Sequence, residues 1–178
     1  MMTDADGRYL EDLLDEVRKR IDDPDKGLPE EVFLFLSQLS PLPNVDLLTR
    51  DREGRILLAW RNDPWWGSGW HVPGGVIRLH ETMEERISRT AESELGTRVE
   101  FDSEPVEIHE IINKNLKSRS HHITFVFECR VSDDYQIDNG SLDRHDTGYL
   151  AWHDRYPDEM LKCHEFYRRY FIDSCKQQ

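Results

Sequence analysis

The feature that most constrains this chain is the run from Gly74-Gly75 to Gly96, where a glycine pair precedes a helix with a marked start and a marked end. Thr82-Met83-Glu84-Glu85 has the form of a capping box, in which the Thr82 hydroxyl accepts from the Glu85 amide and the Glu85 carboxylate from the Thr82 amide. Met83, Ile87, Ala91 and Leu95 step by four along one apolar edge. Gly96 supplies the left-handed residue that ends helices. The spacing predicts a loop, a glycine pair and an amphipathic helix of about four turns, which is stable only when its apolar edge is covered.

Elsewhere the pattern alternates between strand and helix. Val45–Thr49 and Arg55–Trp60 read as strands around the turn Asp51-Arg52-Glu53-Gly54. Residues 121–131 form the clearest strand, with Ile123, Phe125, Phe127, Cys129 and Val131 on one face, which makes Cys129 a core thiol rather than a reactive one. Residues 98–112 read as strand-rich, 133–147 as a polar loop, Tyr149–Trp152 as a last strand and Glu159–Ile172 as a closing helix. Ahead of these lie two helices. Tyr9, Leu10, Leu13, Leu14, Val17 and Ile21 recur at helical steps until Pro24 and Gly27 stop them. A second helix starts at Pro29-Glu30-Glu31 and runs to Leu39. It is so apolar that either the main domain or a second subunit must cover it. The expected organisation is α/β, with residues 1–40 as an N-terminal helical extension and 41–178 as one domain.

Charge excludes some partners. Against 23 Lys and Arg stand 36 Asp and Glu, a net charge of −13 over 178 residues. Binding to duplex nucleic acid or to an anionic membrane needs cations to neutralise phosphates, so neither is expected. The longest apolar runs, Val32–Leu36 and Ile56–Trp60, are too short to span a bilayer. The opening Met-Met-Thr-Asp-Ala-Asp lacks the basic and apolar parts of a signal peptide. Three cysteines, Cys129, Cys163 and Cys175, show no metal spacing and read as reduced thiols of a cytoplasmic protein.

The full spacing of the helix carries a resemblance. Gly75, five residues, Glu81, seven residues, Arg89 and then Ser93-Glu94-Leu95-Gly96 resembles the Nudix box, G-x5-E-x7-R-E-U-x-E-E-x-G-U with U aliphatic. Thr90 and Ser93 stand where that box has acids, and only Glu94 remains of its helical metal cluster. Glu92 does not substitute, because one residue turns its side chain about 100° around the helix. The depleted box resembles the GDP-mannose mannosyl hydrolase subfamily, whose box reads R-L-T-x-A-E-L-G, and the likeness runs over roughly residues 30 to 172. Asp46 and Arg61 keep that family's spacing before Pro73-Gly74-Gly75. His121-His122-Ile123 leads to Arg130-Val131-Ser132-Asp133-Asp134 as its H-Y strand does. Arg144-His145-Asp146 falls where it has Q-H-D, and His164 to Phe171 echoes its H-x4-R-x-Y-F helix.

The resemblance implies a Nudix-type α/β/α sandwich around a mixed sheet, a homodimer, and hydrolysis of a nucleoside-diphosphate sugar in which water attacks the anomeric carbon. It implies His145 as base, Glu94 as ligand of one Mg²⁺ or Mn²⁺ ion with a carbonyl of Gly74 or Gly75, Arg61 as phosphate clamp, and Asp46 as a carboxylate near the developing sugar cation. Arg89 is expected to pair with Glu81 or Glu85 and so order the box. Three replacements depart from the subfamily. Arg144 stands where a Gln ligates the metal, and arginine has no lone pair to give; Arg144 is expected instead to take a charge role toward the substrate. Val76 replaces a phosphate-binding Arg, and His122 replaces a Tyr near the phosphates. Trp65-Trp66 either stacks a nucleobase or anchors its loop. A metal site at His121-His122 is disfavoured, because adjacent strand residues face opposite ways. Two further readings stand beside this one: pyrophosphate cleavage at phosphorus, with Glu85 or Asp146 completing a metal site, and a non-catalytic domain that binds a nucleotide-sugar.

Overall fold

The computed structural model describes residues 4–171; the opening Met-Met-Thr, Ile172 and Cys175 lie outside them. The chain runs α1 (Asp4–Arg18), α2 (Glu30–Leu36), β1 (Leu42–Arg50), β2 (Ile56–Asp63), β3 (Gly67–His71), β4 (Gly74–Val76), α3 (Met83–Thr90), β5 (Glu100–Phe101), β6 (Glu107–Ile112), β7 (His121–Arg130) and β8 (Leu150–His153). A 3₁₀ segment, Lys162–Tyr170, follows β8.

The eight strands form one mixed sheet. β1 is at its centre because both of its faces are apolar: Val45 and Leu47 point one way and Leu48 the other, all within 1% of full burial. It pairs in parallel with β7 from Leu42↔His122 to Arg50↔Arg130. The other strand pairings among the described residues are antiparallel, with β2 and β4 on β1, β3 and β8 on β2, and β5 and β6 on β7.

Each face of the sheet is covered by one layer. On the first, Ile87, Ala91 and Leu95 pack on Val45, Leu57 and Phe127. Cys129 lies in the same cluster, fully buried, and burial pushes its thiol up to about 12, so it is a core side chain as expected. On the second face, Tyr167, Phe171 and Met160 cover Leu48, Leu58 and Val126. Complete burial of side chains of this size stabilises the fold by roughly 1.5–3 kcal/mol each. The arrangement is a mixed α/β sandwich, as the sequence leads one to expect.

Three local features differ from expectation. The glycine pair is itself a short strand, with Asp46↔Gly74 and Val45↔Gly75 in register on β1. The helix after it is α-helical only to Thr90 and closes with a wider π turn, Ala91–Leu95, before Gly96 at φ 68°. That turn still leaves Ala91 and Leu95 in the core. The closing segment winds as 3₁₀ rather than α, with His164 N–H donating to Leu161 O at 2.8 Å and Phe171 N–H to Arg168 O at 3.2 Å. Its aromatic side chains are held by the sheet beneath, and packing overrides the backbone's preference for the α form.

The N-terminal helices are covered only in part. Ser37 is buried, its Oγ accepting from the Arg119 amide at 3.0 Å, and Gln38 donates to Ser118 Oγ. Phe35, Leu36 and Leu39 remain exposed, as do Leu10, Leu13 and Leu14 of α1. Among the described residues no helix is long and apolar enough to cross a membrane.

The glycine pair has no room for side chains. A Cβ on Gly74 would lie 2.1 Å from Asp46 Oδ1 and 2.7 Å from the Val45 carbonyl oxygen, and one on Gly75 2.7 Å from Thr90 Oγ1. The Val45 carbonyl belongs to the central strand and does not yield. Gly74→Ala is therefore expected to destabilise the fold by about 1–3 kcal/mol in urea unfolding.

Candidate functional site

The loop after β4 ends in a cage of donors around one acid. Glu81 Oε2 accepts from Arg86 Nε at 2.7 Å and from the Arg78 amide at 2.9 Å, and Oε1 from Arg86 Nη2 at 2.8 Å, with Arg89 Nη1 at 3.0 Å. Only 2% of its side chain is exposed. Burial pushes its carboxyl up, but the Arg86 hydrogen bonds, the Arg78 amide and the two guanidinium charges outweigh it and hold the group below its ordinary value. Arg89 thus pairs with Glu81 rather than Glu85, and Arg86 is the closer partner. Glu85 completes the capping box, with Thr82 Oγ1 accepting from its amide at 3.1 Å.

The helix so fixed carries Glu94 to the sheet. Glu94 Oε1 lies 3.7 Å from Arg61 Nη2 and Oε2 lies 3.8 Å from His71 Nε2, while Glu92 faces outward to Arg98. Thr90 is buried and Ser93 Oγ donates to the Thr90 carbonyl, so neither replaces an acid. Among the described residues no three His, Cys, Asp or Glu side chains gather tightly enough to hold an ion. A half-buried carboxylate beside a buried, unpartnered imidazole nitrogen nonetheless suits a divalent cation whose other ligands come from backbone, water or substrate. This edge borders a hollow of about 600 Å³ lined also by Tyr135, Thr147 and Gly148.

Arg61 and His71 form the wall between it and a second hollow of about 130 Å³. Asp46, Gly74, Gly75 and His122 all line this second hollow, beside Trp66 and Arg119. Asp46 accepts from Tyr167 Oη and Asn44 Nδ2, each at 2.6 Å. Burial raises its carboxyl to about 7, against the lowering effect of those two hydrogen bonds. His122 falls to about 4 through burial and the Arg119 charge, and burial keeps His164 neutral as well. Below about pH 7 the charged groups of the hollow include Arg61 and the Arg119–Asp63 pair, 3.8 Å apart. Trp65 lies under the Arg119 guanidinium at 5.1 Å, an anchoring role, whereas Trp66 faces the hollow. His121 points elsewhere, to Glu110 at 3.0 Å.

Two expected site residues lie apart from these groups. His145 is 63% exposed at its side chain, packs on the Trp60 ring at 4.6 Å and faces Glu159 at 3.9 Å. Arg144 donates to Glu159 at 3.0 Å over the Trp70 ring. Neither is among the residues lining either hollow. The loop that bears them does border the larger one, through Thr147 and Gly148, and is tied to β2 by Asn62 Nδ2 donating to the His145 carbonyl.

Sequence reasoning passed over His71, Arg119, Asp63 and Tyr167. Position 71 follows Trp70 at the end of the second strand of the β2–β3 hairpin, and no motif spacing marks it. Tyr167 falls within the stretch from His164 to Phe171 already singled out, and that was the available signal.

A model of the NUDIX domain matches residues 40–175. The chain is 31% identical over 122 residues to the low-salt glycan biosynthesis protein Agl8 of Haloferax volcanii, covering 66% of this chain and 76% of that one. It is 32% identical over 80 residues to a MutT-like protein of Streptomyces ambofaciens, of which it spans 46%. Among solved structures, a MutT NUDIX hydrolase from Burkholderia pseudomallei has a TM-score of 0.57 at 20% identity, covering 75% of this chain and 99% of that one. A UDP-X diphosphatase has a TM-score of 0.53 at 22% identity, covering 92% and 75%. These two likenesses show the fold.

The raised Asp46 carboxyl makes stability depend on pH. In the unfolded chain the group ionises near about 3.9, so between there and about 7 the folded state holds the proton more tightly. Its contribution is complete below about pH 4 and is lost as pH rises through about 7. Urea unfolding in chelator should show wild type losing stability relative to Asp46→Asn across that window. A pH-independent difference would remove Asp46 as the titrating group.

Proposed function

Starting from the membership of this chain in the Nudix family, we propose that it hydrolyses a nucleoside-diphosphate sugar with one divalent ion, water attacking the anomeric carbon. The carrying observation is that Glu94 is the one acid of the box helix that faces Arg61, with Thr90 and Ser93 in the places of the others. Attack at phosphorus in this family draws on a cluster of carboxylates; departure of a diphosphate from carbon asks only for stabilisation of the leaving oxygens. The similarity to a protein named for glycan biosynthesis supports a sugar-bearing substrate.

In this reading Glu94 and a carbonyl of Gly74 or Gly75 hold Mg²⁺ or Mn²⁺. Bound there, the ion neutralises charge on the departing diphosphate. Arg61 clamps the phosphates from the wall it shares with both hollows. Asp46 and His122 face the sugar or nucleoside, and Arg144 neutralises charge at the rim. His145 accepts a proton from water when its loop folds over the larger hollow. The exposed apolar faces of α1 and α2 meet a second copy in a homodimer, and the chain works in the cytoplasm with residues 41–178 as the catalytic domain.

One observation favours a second reading. With His145 packed at a tilt against Trp60 outside the hollows, attack at phosphorus needs no rearrangement of that loop. Turnover of a panel of GDP-, UDP-, ADP- and CDP-sugars in ¹⁸O water separates the two. Label in the free sugar, together with a loss of about 10²-fold or more in turnover for His145→Asn, is the expected result. Label in a phosphate product, with His145→Asn fully active, would establish the second reading.

A further inference from the structure

His71 ends β3 with only one of its ring nitrogens engaged. Nδ1 lies 2.8 Å from the carbonyl oxygen of Ala59, which only accepts, so Nδ1 carries a ring proton and in the neutral imidazole Nε2 presents a lone pair. Nε2 has no hydrogen-bond partner although the residue is 3% exposed. A buried nitrogen left unpaired destabilises the fold. What faces it is another acceptor, Glu94 Oε2, at 3.8 Å. Two acceptors facing each other without a donor between them describe a place for something electropositive.

We infer that His71 Nε2 and Glu94 form a nitrogen–oxygen donor pair for the divalent ion, and that this chain therefore prefers Co²⁺ or Zn²⁺ to Mg²⁺. The inference deepens the proposed function, since it rests on Glu94 as a ligand. Bond lengths of about 2.0–2.2 Å to imidazole nitrogen and to carboxylate oxygen, at a tetrahedral angle, place two donors of one ion about 3.4 Å apart. The separation of 3.8 Å closes to that by a shift of a few tenths of an ångström in the Glu94 side chain, without movement of β3 or the helix. The rest of the ring is arranged as metal-bound imidazoles are. Its far nitrogen donates to a backbone carbonyl, which fixes the tautomer and the ring plane and strengthens the free nitrogen as a donor. An imidazole ligand selects borderline ions, whereas Mg²⁺ keeps to oxygen and gains little from it.

Titration of the full chain with Co²⁺, followed by visible absorption and proton NMR, tests this without any turnover. The wild type should show a strongly shifted, slowly exchanging ring N–H resonance from the Nδ1 proton bound to Ala59 O. His71→Gln should lose that resonance and bind Co²⁺ about 10–100-fold more weakly, with Mg²⁺ affinity changed by less than about 2-fold. Glu94→Gln should weaken both ions. The wild-type resonance needs no variant, so a variant that folds poorly does not decide the matter; thermal melts of the metal-free variants identify one that does. Co²⁺ bound with no shifted ring proton, and equally well by His71→Gln, would overturn the His71 assignment while leaving Glu94 as ligand. Co²⁺ and Mg²⁺ binding unaffected by Glu94→Gln would overturn both readings.

Discussion

The site depends on one buried carboxylate. Glu81 gathers the Arg78 amide and the guanidinium groups of Arg86 and Arg89, and in doing so fixes where the loop stops and α3 begins. Breaking the buried Glu81–Arg86 pair by removing Arg86 costs about 3–5 kcal/mol, because the Glu81 charge is left short of its closest partner. The helix axis set at this end decides where the other end arrives. Thirteen residues on, the π turn delivers Glu94 to Arg61 and His71 instead of to solvent. The glycine pair supplies the second constraint, since any side chain there would push β4 off the Asp46 carboxylate and off Thr90 of α3. Ion cluster and close approach together make the geometry of the cleft a property of the backbone.

Charge in the cleft differs from charge on the surface. The chain carries −13 overall, a poor attractor for a nucleotide. Burial holds Asp46 protonated up to about 7 and keeps His122 and His164 neutral. Arg61 is then opposed by Glu94 alone, and Arg119 by Asp63. Low-dielectric walls strengthen what remains, so an anion meets two guanidinium groups at close range despite the acidic exterior. Below about pH 7 the same burial that forms the core thus removes a negative charge from the hollow.

Local patterns in the sequence carried much of this. The capping box, the Gly96 stop and the alternation through Phe125, Phe127 and Cys129 are short-range signals, and the corresponding elements form. Glu81 is one of the two partners for Arg89 that the sequence offers; the other, Glu85, is taken by the capping box. Features that depend on distant parts of the chain were not legible. Tyr167 meets Asp46 across 121 residues. Closer in sequence, the free nitrogen of His71 depends on the register of the β2–β3 hairpin at Ala59, which no motif reports. The 3₁₀ winding of Lys162–Tyr170 is imposed by the sheet under it, and helical periodicity alone reads it as α. The position of His145 is set by its tilted packing against Trp60 and by Asn62, neither of which a motif reports.

The account rests on Glu94 being the lone protein carboxylate at the metal. Anomalous diffraction at the manganese edge, from crystals grown with Mn²⁺ and a nucleoside diphosphate, counts the ions directly. One peak within bonding distance of Glu94, on the side of Arg61, is the predicted result. Two or more peaks bridged by other acids, or a single peak away from Glu94, would contradict it.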